Sequence, residues 1–294
     1  MATDEILERP CVNLRALVCA HRFPRGRGIG IGTIIVLVIG WALGIDPRIG
    51  RADMMSRNSE TQQQSDVGST ASPGVPSDQI GDFVARVLGS TEVVWSDIFA
   101  QAGETYKRPK LVMFSGATRS ACGLAQAAIG PFYCPLDQKV YLDTSFFQDL
   151  EQRFRACDVG SKSCQFSQAY VIAHEIGHHV QNLLGLLPKV EEAQRPMNEA
   201  NANSLWVRVE LQADCFAGLW ANRAQEKWPP FIEPGDVGAA LQTVSALGDD
   251  RIQRWAQGYV VPDTFTHGTS AQRTRWFMTG LKSGKVASCN TFRP

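Results

Sequence analysis

Several things are scarce in this chain of 294 residues. Its 29 basic residues are matched by 29 acidic ones, so it has no net charge. It also lacks a basic stripe with interleaved aromatics of the kind that tracks a phosphate backbone. Nucleic acid is therefore not expected as a partner. No internal repeat is visible, which argues against a stacked-repeat architecture. None of the eight cysteines has the paired C-x-x-C spacing of a structural zinc site. Long apolar runs are scarce too, and one stands alone.

That run is "GIGIGTIIVLVIGWALGI", residues 28–45, which carries no charge. At ~1.5 Å per residue it spans roughly 27 Å as a helix, the lower limit for a bilayer. Arg9, Arg15, Arg22, Arg25 and Arg27 precede it and Arg48, Arg51 and Arg57 follow. The bias places residues 1–27 in the cytoplasm and everything after Asp46 outside. The competing reading is a cleavable signal peptide, against which the long N-terminal region argues. Residues 46–77 have no aromatics and no apolar periodicity, and their Ser, Gln, Gly and Pro content cannot support a core. They read as a tether with a reach on the order of 30 Å.

The whole chain is 44% hydrophobic and 20% charged, and its remaining residues 78–294 can bury a core of domain size. Ile80, Phe83, Val84, Val87 and Leu88 recur at helical spacing behind Ser77 as N-cap. "PKLVMF" and "GPFYCPLDQKVYLD" carry β-formers around a turn near Asp137, which predicts a small antiparallel sheet. A helix capped by Ser167 then runs to Gly185, with Pro188 as a stop. Further helices are expected from Ser204, Asp236 and Ser270. Few strands followed by helices indicate an α+β, mainly helical domain.

Chemistry concentrates in "YVIAHEIGHHVQ", Tyr170 to Gln181. His174 and His178 are four apart, so on a helix both rings leave one face and can grip one cation, while Glu175 is close enough to reach a water on it. Neutral imidazoles suit zinc, which at a catalytic site takes three protein ligands and keeps a fourth position open. His179 lies about 100° around the helix from His178 and should miss the metal. A third ligand comes from "LWVRVELQADCFAGLW". There Glu210 and Asp214 share one face of an otherwise apolar helix, an arrangement that demands neutralisation. Zinc held by Glu210, with Asp214 accepting the other ring N–H of a ligand histidine, resolves both charges.

Four blocks, "AYVIAHEIGHHVQNLLG", "RVELQADCFAGLWA", "GPFYCPLDQKVYLD" and "VVPDTFTHGTSAQRTRWF", together resemble the bacterial family described as putative neutral zinc metallopeptidases. Its members are single-pass membrane proteins with the peptidase domain outside, here in the periplasm or extracellular space. The resemblance implies a zincin-like fold, His174, His178 and Glu210 as zinc ligands, Glu175 as base, and Asp214 supporting the first histidine. "THGTSAQR" also resembles the H-x-x-x-x-x-R segment of HtpX-type membrane peptidases. That resemblance suggests His267 as a donor to the oxyanion of the tetrahedral intermediate, with Arg273 orienting it or binding a carboxylate. The implied activity is hydrolysis of peptide or protein substrates, in which zinc activates a water and Glu175 takes its proton. A membrane-tethered scaffold that keeps zinc for structure is the alternative. The retained Glu175 counts against it, since a structural site needs no base.

Cysteine positions agree with this topology. Cys11 and Cys19 fall on the reducing side, the other six on the oxidising side. Closeness in sequence favours Cys122 with Cys134 and Cys157 with Cys164, which leaves Cys215 for Cys289.

Overall fold

A computed structural model of the chain describes residues 78–126, 130–152 and 161–293. The expected membrane segment 28–45, the tether 46–77 and Ser77 lie outside the described residues. Among the described residues no helix is long and apolar enough to cross a membrane. The first described helix, α1 (Gln79–Gln101), is capped by Asp78, whose carboxylate accepts from Gly81 N at 2.6 Å. Its inner stripe of Val84, Val87, Thr91, Val94, Trp95 and Phe99 follows the 3.6-residue period.

Five short strands follow: β1 (Lys110–Phe114), β2 (Ala117–Ser120), β3 (Gly123–Gln126), β4 (Phe132–Cys134) and β5 (Lys139–Asp143). β2 and β3 form a separate antiparallel ribbon. β4 and β5 pair antiparallel around the Asp137 turn as expected. The expectation of a wholly antiparallel sheet is corrected by β1, which pairs with β5 in parallel, giving a mixed sheet ordered β1-β5-β4. The long excursion between β1 and β4, which holds the ribbon, lets the chain return before making β5, so β1 and β5 run the same way.

The rest is helical: α2 (Phe146–Gln152), α3 (Lys162–Leu183), α4 (Leu186–Gln194), α5 (Glu199–Lys227), α6 (Asp236–Ala246), α7 (Asp249–Gln257) and α8 (Ser270–Ser283). Several boundaries differ from expectation. Ser161 rather than Ser167 caps α3, and Ser167 is buried inside it. Asn198 caps α5, six residues before the expected start at Ser204. Pro188 does not stop the chain but sits in the first turn of α4, where its missing N–H costs nothing. Gly185, at φ 72°, makes the break between α3 and α4. α8 opens with a capping box of Thr269 and Gln272.

α3 and α5 form the centre of the domain. Contacts of His174 with Asp214, Gly177 with Ala213 and Gln181 with Val209 run in opposite directions along the two helices. Trp95 packs edge-on against Phe216, and Tyr170 against Phe277, burying large apolar area around the polar seam. α8 crosses α5 backbone to backbone. A Cβ on Gly218 or Gly280 would meet the other helix's carbonyl, of Phe277 or Cys215 respectively. Two of the expected disulfides are present, Cys122–Cys134 and Cys215–Cys289. Cys164 is also disulfide-bonded, and Cys157, its expected partner, lies outside the described residues.

Candidate metal centre

The central seam carries the predicted residues. One ligand atom each from His174, His178 and Glu210 lies within 4.8 Å of the others, and all three residues are buried. Glu210 spans both rings, with Oε2 at 3.2 Å from His174 Nε2 and Oε1 at 3.4 Å from His178 Nε2. Gly177 makes this convergence possible. A Cβ there would sit 3.0 Å from Ala213 Cα and 3.1 Å from Ala213 O, so its absence lets α3 and α5 approach.

Each histidine is turned the same way by a different partner. His174 Nδ1–H donates to Asp214 Oδ1 at 2.9 Å and His178 Nδ1–H to Gln181 Oε1 at 2.9 Å. With each Nδ1–H donated outward, both Nε2 atoms face the centre, the orientation a metal ligand requires. Two imidazoles and a carboxylate are a donor set suited to zinc with one position open. Burial raises the Glu210 carboxyl, but the nearby His178 and His174 outweigh it and hold the group well below the usual range. Burial depresses His174, yet its bonds to Asp214 and Glu210 push it up, so a proton sits where a cation belongs.

Asp214 is more heavily engaged than the sequence suggests. Besides His174 it accepts from the Tyr170 hydroxyl and, in parallel, from Arg273 Nε and Nη2 at 2.9 and 3.0 Å. The guanidinium therefore balances Asp214, and a cation at the centre would face the remaining charge of Glu210. Arg273 also donates to Leu247 O and to Tyr170. The carboxylate that Arg273 holds is that of Asp214, and the guanidinium makes no hydrogen bond to His267.

His267 is held by Asp249 instead. Its Nδ1 lies 3.1 Å from Asp249 Oδ1, while Asp249 Oδ2 accepts from the backbone N–H groups of Thr266, His267 and Gly268 at 2.8, 2.6 and 2.9 Å. Burial lowers its pKa, but Asp249 and then Glu210 raise it overall. His267 Nε2 has no hydrogen-bond partner among the described residues. Glu175 likewise has a carboxylate with no such partner, and burial raises its pKa beside His178 and His174. His179 points away, as its position on the helix requires. It donates from Nε2 to Lys107 O at 2.6 Å and accepts at Nδ1 from Tyr133, tying α3 to the sheet.

Sequence reasoning missed three participants. Tyr170 and Gln181 were marked only by spacing, one turn before His174 and one turn after His178. Asp249 had only its place at the head of a helix, and nothing in the sequence linked it to His267.

A His-x-x-x-His pair with an adjacent glutamate on one helix, and a carboxylate opposite on another, form a candidate zinc site of the kind metallopeptidases use. The chain belongs to the family described as putative neutral zinc metallopeptidase, whose model matches residues 13–292. It is 46% identical over 271 residues to the uncharacterized protein YpfJ of Escherichia coli (strain K12), covering 92% of this chain and 88% of that one. It is 41% identical over 217 residues to the uncharacterized protein Rv2575 of Mycobacterium tuberculosis, covering 71% of this chain and 69% of that one. No solved structure matches.

Proposed function

We propose that the protein is a membrane-anchored zinc peptidase of zincin-like fold that hydrolyses peptide bonds in peptide or protein substrates outside the cytoplasm. The observation that carries this reading is the convergence of His174, His178 and Glu210, with both ring tautomers set, beside the unpartnered Glu175. His174, His178 and Glu210 would hold a zinc ion, which would supply the Lewis acid that polarises a peptide carbonyl and acidifies a water. Glu175, whose carboxylate has no hydrogen-bond partner among the described residues, is placed to accept the proton of an attacking water and to return it to the departing amine. As the imidazolium that Asp249 favours, with Nδ1–H on that carboxylate, His267 offers Nε2–H to the developing oxyanion. Arg273 and Tyr170 hold Asp214, which in turn orients His174.

The arginine asymmetry around residues 28–45 and the disulfides of the domain support anchoring with the N-terminus inside a bacterial cytoplasmic membrane. A reporter fused after residue 60 should be active only if it is of the extracytoplasmic type. Activity of a cytoplasmic reporter there would reverse the topology.

The enzymatic reading is tested on the purified full chain. Wild type and Glu175→Gln should hold one zinc per chain, and mass spectrometry of a peptide library should detect new termini with the wild type only. Glu210→Ala and His178→Ala should lose the metal. A zinc-loaded wild type that cuts no peptide would return the protein to the scaffold class.

A further inference from the structure

Gln181 sits one turn beyond His178, fully buried. While Oε1 accepts from His178, Nε2 donates to Val209 O at 2.8 Å and to Gln212 Oε1 at 3.1 Å. Gln212 Nε2 donates onward to Cys289 O at 2.9 Å, and Cys289 is joined to Cys215 on α5.

An amide side chain can be turned either way, but a backbone carbonyl only accepts. Two backbone carbonyls, Cys289 O at the far end and Val209 O beside Gln181, dictate the direction of this chain of bonds. Cys289 O requires the NH₂ of Gln212, leaving Gln212 Oε1 to face Gln181. Val209 O and Gln212 Oε1 then both require the NH₂ of Gln181, leaving its Oε1 to face His178. An Nε2–H tautomer of His178 would set two lone pairs against each other in a buried place, so Nδ1 carries the proton and Nε2 faces Glu210.

We propose that Gln181 and Gln212 are positioning residues that select the metal-binding tautomer of His178, and that the Cys215–Cys289 disulfide anchors this relay, so that zinc affinity depends on an intact disulfide. The metal part rests on the reading of His178 as a zinc ligand. Of the two histidines, only His178 is tied to the disulfide through this relay, because His174 is set by Asp214. Arg208 and Thr291 also hold the C-terminal segment, through Phe292 O and Arg208 O. Loss of the disulfide therefore loosens Cys289 O without releasing it, and its effect is smaller than that of losing Gln181.

The full-length chain contains five histidines, few enough for selective ¹⁵N-histidine labelling to resolve each ring. In metal-free wild type, at a pH where the His178 resonances are those of a neutral ring, the Nδ1–H tautomer is expected. Gln181→Leu should shift it toward Nε2–H and weaken zinc affinity, measured against a chromophoric chelator, by ~10- to 100-fold. Gln212→Leu and the pair Cys215→Ala with Cys289→Ala should move both readouts the same way by less. If the cysteine pair does not fold, Gln212→Leu and zinc affinity of the reduced wild type decide. An unchanged tautomer in Gln181→Leu, even with lowered thermal stability, overturns the proposal, and unchanged readouts in Gln212→Leu overturn the link to the disulfide. If wild type binds no zinc, the peptidase reading fails, and the tautomer spectra still decide the relay.

Discussion

Arg273 holds the Asp214 carboxylate through two N–H groups, with Nε 2.9 Å from Oδ2 and Nη2 3.0 Å from Oδ1, and both side chains are buried. A buried pair of this kind does little net work while intact, because desolvation offsets the attraction, but breaking it strands a charge. Here the stranded charge would be the one that orients His174.

Arg273→Leu should therefore destabilise the domain by ~3–5 kcal/mol in urea unfolding, with Asp214→Asn added in the double variant restoring part of the loss. A single-variant change within the few tenths seen for surface pairs would remove the pair from the core of the design.

Acid should act through Asp214. Burial raises its pKa, but Arg273 and His174 outweigh burial and hold it at about 2 against 3.8 for an ordinary aspartate. A depressed pKa contributes stability that is present above 3.8 and lost as pH falls through about 2, a contribution of roughly 2 kcal/mol. Stability of the metal-free chain should fall more steeply across that window in wild type than in Asp214→Asn. Parallel curves would contradict it.

Zinc should compete with a proton. His174 is raised above 6.5 in the metal-free site, so metal entering at neutral pH releases its proton and binds more tightly as pH rises, by about tenfold per unit while one proton is exchanged. Calorimetry in buffers of different ionisation enthalpy reads the proton count. Heats that do not depend on the buffer would show that the site is already deprotonated.

Gly177→Ala sets two effects against each other. Alanine gains up to about 1 kcal/mol of helix propensity, whereas its Cβ would press on the Ala213 backbone at 3.0–3.1 Å, overpacking that typically costs ~1–3 kcal/mol. Overpacking should win, lowering stability and, because Gly177 lies between His174 and His178, weakening zinc binding as well. A stabilised variant with full zinc affinity would mean the helices yield freely.

His267→Ala should keep its zinc and lower kcat by ~10²- to 10³-fold with little change in KM, the pattern of a contact made only in the transition state. Asp249→Asn should move kcat the same way by less, since it acts through His267. A His267 variant with unchanged kcat, or one that loses its metal, would assign the residue to the fold alone.

Local periodicity made part of this protein readable in advance. The four-residue spacing of His174 and His178, and of Glu210 and Asp214, needs only the pitch of a helix to place each pair on one face. The Asp137 turn between two β-forming runs likewise announces its own hairpin. The helix starts at Ser161 and Asn198 were missed because a nearer serine also fitted the capping pattern, and short α2, α4 and α7 offer too few turns for a period to show.

What the sequence by itself determined, then, was which side chains share a helical face and which charges could not stay buried alone. Tertiary structure decided the rest. It brought β1 beside β5 in parallel, gave Asp214 to Arg273, 59 residues away, and set His267 against Asp249 and His178 at the head of an amide chain ending at Cys289. A helix fixes neighbours three and four residues apart through its own hydrogen bonds. Partners tens of residues apart meet only where whole helices pack, and here that packing rests on Gly177, Gly218 and Gly280, whose missing side chains leave room for another backbone.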